Sequence, residues 1–141
     1  MSHPRSDMRA QVRAALEASP DLAGVKVYRS WAQSLGQTNL PAIGVATPSE
    51  RTRGATGNSV DRDTALIVQY VQTGDDELDD HLDDISAVIE PLVLEALSGF
   101  ELFEITSTDI EISGEGETLT GRLTLTFSAT RFTPEGQAAA L

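Results

Sequence analysis

The chain has 141 residues, 40% of them hydrophobic and 23% charged, and a net charge of −12 at neutral pH. Such a length fits one domain that buries roughly 68% of its unfolded surface, with the composition of an ordinary globular protein. It contains no cysteine, which excludes disulfides, thiolate metal sites and a cysteine nucleophile, and no apolar run nears the roughly 20 residues of a membrane-spanning helix.

The first twelve residues, MSHPRSDMRAQV, lack the apolar core of a signal peptide, so synthesis in the cytoplasm is the expectation. The charge is unevenly distributed. Residues 1–73 carry eight basic and six acidic side chains, residues 74–118 carry fifteen acidic side chains and no Lys or Arg, and residues 119–141 carry two arginines and one glutamate. A block of that sign repels phosphates, which argues against sequence-specific binding of nucleic acid.

In chain order, Met8, Val12, Ala15 and Leu16 fall on one face of a predicted helix, with Ser6 or Asp7 as candidate N-cap. The Pro and Gly of ASPDLAG end it. GVKVYRSW alternates and predicts a strand, with Val25 and Val27 on one side. AQSLGQTN predicts a loop, and LPAIGVAT a short apolar strand with its proline near the start. Residues 48–62, PSERTRGATGNSVDR, have the Gly, Ser, Pro and charge content of a long mobile loop, with Val60 their one strongly apolar residue. Loops of that length are usually functional or disordered.

DTALIVQYVQT predicts a central strand, apolar on both faces through its middle. An acidic helix follows from Asp75 to about Leu97, with Asp75 as candidate N-cap and Pro91 expected to kink or interrupt its last turns. FELFEITSTDIEIS gives one or two strand pieces, and GEGET a turn. LTGRLTLTFSATRF is an alternating strand with Leu123, Leu125, Phe127 and Ala129 facing one way. The tail, residues 133–141, has little to bury and is expected to be loose. The whole predicts one α+β domain over 1–141, a mainly antiparallel sheet packed against two amphipathic helices.

The stretch TGDDELDDHLDDI, residues 73–85, packs seven carboxylates and a histidine into thirteen positions. Leu78, Leu82, Ile85, Ile89 and Leu92 form an apolar stripe through it, which leaves Asp76, Asp79, Asp80, Asp83 and Asp84 opposite and His81 at the flank. A calcium loop needs a glycine within alternating oxygen ligands, and none lies inside this cluster. Zinc would need partners for His81, and the only other histidine is His3. The chain lacks GxSxG, GxxxxGK[ST] and HExxH. The expectation is therefore no catalytic residue, no metal and no cofactor.

The N-terminal helix leading into DLAGVKVYRS, then LPAIGVATPSE, the long polar segment, the late acidic helix and the closing GRLTLTFSATRF strand together resemble the tail terminator family (minor tail protein U-like) of long-tailed phages and prophages. The resemblance runs in order over residues 8–132, and LPAIGVATPSE is its most telling motif. It implies an α+β subunit of the virion, assembled in the host cytoplasm. By that resemblance six copies would form a ring on the last ring of the tail tube protein. The ring would stop tube polymerisation, offer a docking surface to the head-side connector protein and let DNA pass through its hole without specific binding. It implies no membrane association.

Cyclic rings use heterologous contacts between two different surfaces of one chain. Glu50, Arg51, Arg53 and Arg62, within the polar segment, are the expected subunit-interface residues. The acidic face of Asp76, Asp79, Asp80, Asp83 and Asp84 is expected against a neighbour or the lumen. The alternative from a different class is a small acidic adaptor that binds a basic partner and forms no ring.

Overall fold

The computed structural model describes residues 3–29, 40–54, 59–115 and 118–134. Helix α1 (Pro4–Ala18) and a 3-10 turn (Pro20–Leu22) precede strand β1 (Lys26–Tyr28). Strands β2 (Ala42–Gly54) and β3 (Ser59–Gly74) lead to helix α2 (Leu78–Ala96), followed by β4 (Leu102–Glu115) and β5 (Thr118–Pro134). The strands form one sheet in the order β1-β2-β3-β5-β4, antiparallel throughout except for the β1–β2 pair. This is the expected α+β architecture, with a mixed rather than purely antiparallel sheet.

The alternation read in the last strand divides the sheet into two faces. Leu123, Leu125, Phe127 and Ala129 of β5 are buried and share a face with Leu66, Val68 and Tyr70 of β3 and Ile43 and Val45 of β2. Both helices cover this face, α1 over β1 and β2, α2 over β5 and β4. Helix α1 contributes Met8, Val12 and Leu16, which recur every fourth residue. Helix α2 contributes Leu78, Leu82, Ile85 and Ile89 as its stripe predicts, with Val93 in the last buried place and Leu92 half-buried. The other face carries no helix. On β5 it shows Thr124, Thr126, Ser128 and Thr130, all half-exposed.

Several local expectations are corrected. Residues 48–54 and 59–62 are strand, not loop: β2 and β3 stay paired from Ser49↔Ala65 to Gly54↔Val60, and residues 55–58 lie outside the described ones. Polar cross-strand pairs hold this extension where burial cannot, which is why its apolar content is uninformative. Thr133 and Pro134 complete β5, and the rest of the expected tail, like residues 30–39 with the whole AQSLGQTN loop, lies outside the described residues.

The N-cap of α1 is His3, whose Nδ1 accepts from the Arg5 amide at 3.1 Å, instead of Ser6 or Asp7; Pro4 opens the helix where its missing amide costs nothing. Helix α2 has Glu77, not Asp75, at its N-cap, because the Asp75 carboxylate accepts the Glu77 amide at 3.0 Å in a turn just ahead of it. The helix runs through Pro91 to Ala96. Pro91 and Ala87, whose carbonyl loses its helical donor, are both exposed, so that carbonyl is open to solvent and the loss costs less than in a buried turn.

Helix α2 sits tightly on β5 at Gly121. A Cβ there would lie 2.8 Å from Leu82 Cδ1 and 2.9 Å from Leu78 Cδ2. Gly121→Val is therefore expected to destabilise the fold by about 1–3 kcal/mol through overpacking. Urea denaturation measures it; an unchanged midpoint would contradict this close approach.

Candidate interaction surfaces

The four residues expected at a subunit interface separate onto opposite faces, because neighbours in a strand point opposite ways. Glu50 and Arg62 lie on the helix side. One Glu50 oxygen accepts from Arg5 at 2.8 Å and from Arg62 at 2.9 Å, and the other accepts the Thr64 hydroxyl at 3.0 Å. Arg62 also donates through Nε to Thr133 Oγ1 at 2.8 Å. The Glu50 side chain is 7% exposed and that of Arg62 16%. This network ties the start of α1 to the β2–β3 hairpin and is engaged within the subunit.

Arg51 and Arg53 lie on the open face and are exposed, opposite Asp63 and Asp61 across the ladder. The Arg53–Asp61 pair is loose, 3.9 Å with the arginine 80% exposed, a geometry worth little in stability. Asp63 instead accepts the Ser128 hydroxyl at 2.5 Å. Arg51 and Arg53 share a shallow cleft with Leu102 and Phe132, two of the larger exposed apolar side chains.

The five aspartates expected on the acidic face, Asp76, Asp79, Asp80, Asp83 and Asp84, are all exposed, as is His81. None takes part in an ion pair among the described residues. Among those residues no group of three or more metal-ligating side chains is arranged to hold an ion. Strand β4 extends the acidic surface: Glu104, Asp109 and Glu111 all point to the open face and are exposed.

The matching basic surface is one the expectation did not include. Arg5, Arg9 and Arg13 recur every fourth residue along α1, a spacing that aligns them on one flank. Arg9 donates to Thr47 Oγ1 at 2.5 Å and shares a shallow depression with Arg29, Val45 and Pro48. Burial first, then the nearby Arg29 and Arg9 charges, lowers the pKa of Arg13. Lys26 of β1 is exposed beside them. The i, i+4, i+8 arginine spacing was the available signal. Because α1 lies over β1 and β2 while α2 lies over β5 and β4, the domain is basic along one edge and acidic along the other. No protein-family model and no curated protein matches the chain.

Two outcomes follow for the isolated subunit. Glu50→Gln leaves two guanidinium groups facing a neutral amide and is expected to cost about 1–3 kcal/mol, discounted for the partial exposure of Arg5. Arg51→Gln with Arg53→Gln should stay within about 0.5 kcal/mol of wild type; both are read by urea denaturation, and equal losses would contradict the division into buried network and exposed pair. His3 gives a pH test. Burial first, then the Arg5 charge, lowers its pKa from 6.5, so the unfolded chain binds the extra proton first. The cap contribution is present above pH 6.5 and is lost as pH falls below it. Stability should drop more steeply from pH 7.5 to 5 in wild type than in His3→Ala, and parallel curves would contradict the cap.

Proposed function

We propose that the chain is a structural subunit of the phage tail terminator type. In this reading it assembles as a ring of about six copies, caps the tail tube, stops its polymerisation and presents a docking surface to the head-side connector, with DNA passing through the hole. The resemblance over residues 8–132 supplies the biological role. The observation that carries self-association into a ring is the lateral division of charge: Arg9, Arg13, Lys26 and Arg29 along the β1 edge, the acids of β4 and α2 along the other.

Two different, complementary surfaces on one chain favour a heterologous contact, which closes into a ring when the rotation between neighbours divides a full turn. A two-fold dimer would set acid against acid or base against base, which is repulsive. Arg51 and Arg53 add to the basic half through their place on β2. Helix α2 departs from good helix chemistry in a way that suits such a contact. Its aspartates repel one another at i, i+4 by a few tenths of a kcal/mol per pair, and a neighbour's arginines relieve that.

Sedimentation velocity tests the reading. Wild type at low salt should sediment as a closed oligomer that dissociates as ionic strength approaches 1 M, where the Debye length falls to about 3 Å. Arg13→Glu with Arg29→Glu, and separately Asp80→Lys with Asp84→Lys, should each weaken assembly about tenfold, and a mixture of the two variants should associate better than either alone. A chain that stays monomeric at every salt and concentration would refute the ring and favour the acidic adaptor, which binds a basic partner as a monomer.

A further inference from the structure

Both edges of the sheet are unpaired among the described residues, β1 on one side and β4 on the other. Strand β4 is long, and the edge residues Leu102, Phe103 and Ile110 are 65%, 38% and 42% exposed. An edge of that length offers free amides and carbonyls for another strand. We propose that β4 of one copy pairs antiparallel with β1 of the next, so that the sheet continues from subunit to subunit; this rests on the ring reading and specifies its contact.

Three observations carry it. The first is direction. Strands β1 and β2 run one way, β3 the opposite way, β5 with β2 and β4 with β3. Copies set side by side by rotation about an axis near the strand direction keep those directions, so β4 meets the neighbour's β1 antiparallel, the more stable arrangement.

The second is register. Lys26 shares a row across the sheet with Ala42, Val71, Arg122 and Glu111. Val27 shares the next with Ile43, Tyr70, Leu123 and Ile110, and Tyr28 the third with Gly44, Gln69, Thr124 and Asp109. Continuing those rows into a neighbouring copy places Lys26 opposite Glu111, Val27 opposite Ile110 and Tyr28 opposite Asp109, a consistent antiparallel register.

The third is chemistry. Residues in one row share a face, so Lys26 and Glu111 meet on the open side as opposite charges, while Val27 and Ile110 meet on the helix side as apolar partners. Ile110, exposed in the single subunit, gains the cover it lacks. Pairing of β4 with a second β4 would instead gather Glu104, Asp109 and Glu111 from two copies on one face, and like charges opposite one another are destabilising. The edge charges thus select the β1 edge over self-pairing, a use of charge common on exposed strands.

The absence of native cysteine makes a direct test available. Two double variants, Val27→Cys with Ile110→Cys and Lys26→Cys with Glu111→Cys, occupy adjacent rows, one of which is the closer non-hydrogen-bonded kind suited to a disulfide. Under mild oxidation one of them should form a ladder of covalent multimers that stops at the closed ring, and 6 M urea during oxidation should abolish it. Charge reversal gives a second arm. Lys26→Glu and Glu111→Lys should each weaken association about two- to fivefold, and the two combined in one chain should return it to within about twofold of wild type.

Sedimentation of wild type in the same buffer separates the two ideas. A wild-type ring with neither double variant cross-linking, or with no recovery in the combined charge variant, overturns the β4–β1 contact and leaves the ring reading standing. Ready dimer formation by Ile110→Cys alone overturns it in favour of β4–β4 pairing. A wild type that is monomeric throughout removes the ring reading and this contact with it.

Discussion

A ladder of sixteen residue pairs between β3 and β5, from Ser59↔Pro134 to Gly74↔Leu119, is the constraint on which the rest of the molecule depends. Side chains alternate with period two along both strands, so a slip of one residue would turn every apolar side chain out of the core. The ladder in its observed register puts Leu66, Val68, Tyr70, Leu123, Leu125 and Phe127 beneath the helices and sends Thr124, Thr126 and Ser128 to the open side. It also fixes the crossover. Strand β5 lies between β3 and β4, so the chain must pass over β5 to reach the far edge, and α2 is that passage.

The charge pattern follows from this topology. The acidic stretch of the sequence folds as α2, which lies over β5 and β4, and as β4 itself, the strand beyond β5. The basic N-terminal part folds as α1 and β1 on the near side. A uniform spread of the same charges over the surface would leave self-association undirected. In the proposed ring, their division between two edges would give one copy a preferred way to meet the next, and the strand directions set by the ladder would make that meeting antiparallel. Local packing, surface charge and assembly are thus linked through one sheet register.

Much of the fold was legible in the residues themselves, because burial imposes period on sequence. The stripe Leu78, Leu82, Ile85, Ile89 and the alternation Leu123, Leu125, Phe127, Ala129 both emerge as core. The β2–β3 hairpin was not, since its buried contacts are polar, Glu50 with Arg62 and Thr64, and leave no apolar period. The helix starts were misplaced for a related reason: His3 and Asp75 accept amides through side chains that fit loops equally well. For the site, the five aspartates are exposed as the stripe implies, but Glu50 and Arg62 were grouped with Arg51 and Arg53 when a strand turns them to opposite faces. No motif could have shown that Glu50 gathers Arg5 from 45 positions away. The proposed role rests on resemblance, because a subunit of the proposed kind would place no reacting group where chemistry could reveal it.

The central claim is that this chain closes on itself through two unlike edges. Negative-stain electron microscopy of the purified full-length protein at low ionic strength tests it most directly. Uniform rings with a central hole and a single cyclic symmetry are expected, lost at high salt and recovered on dialysis. A field of single small particles at every concentration and salt, or two-fold dimers alone, would contradict it.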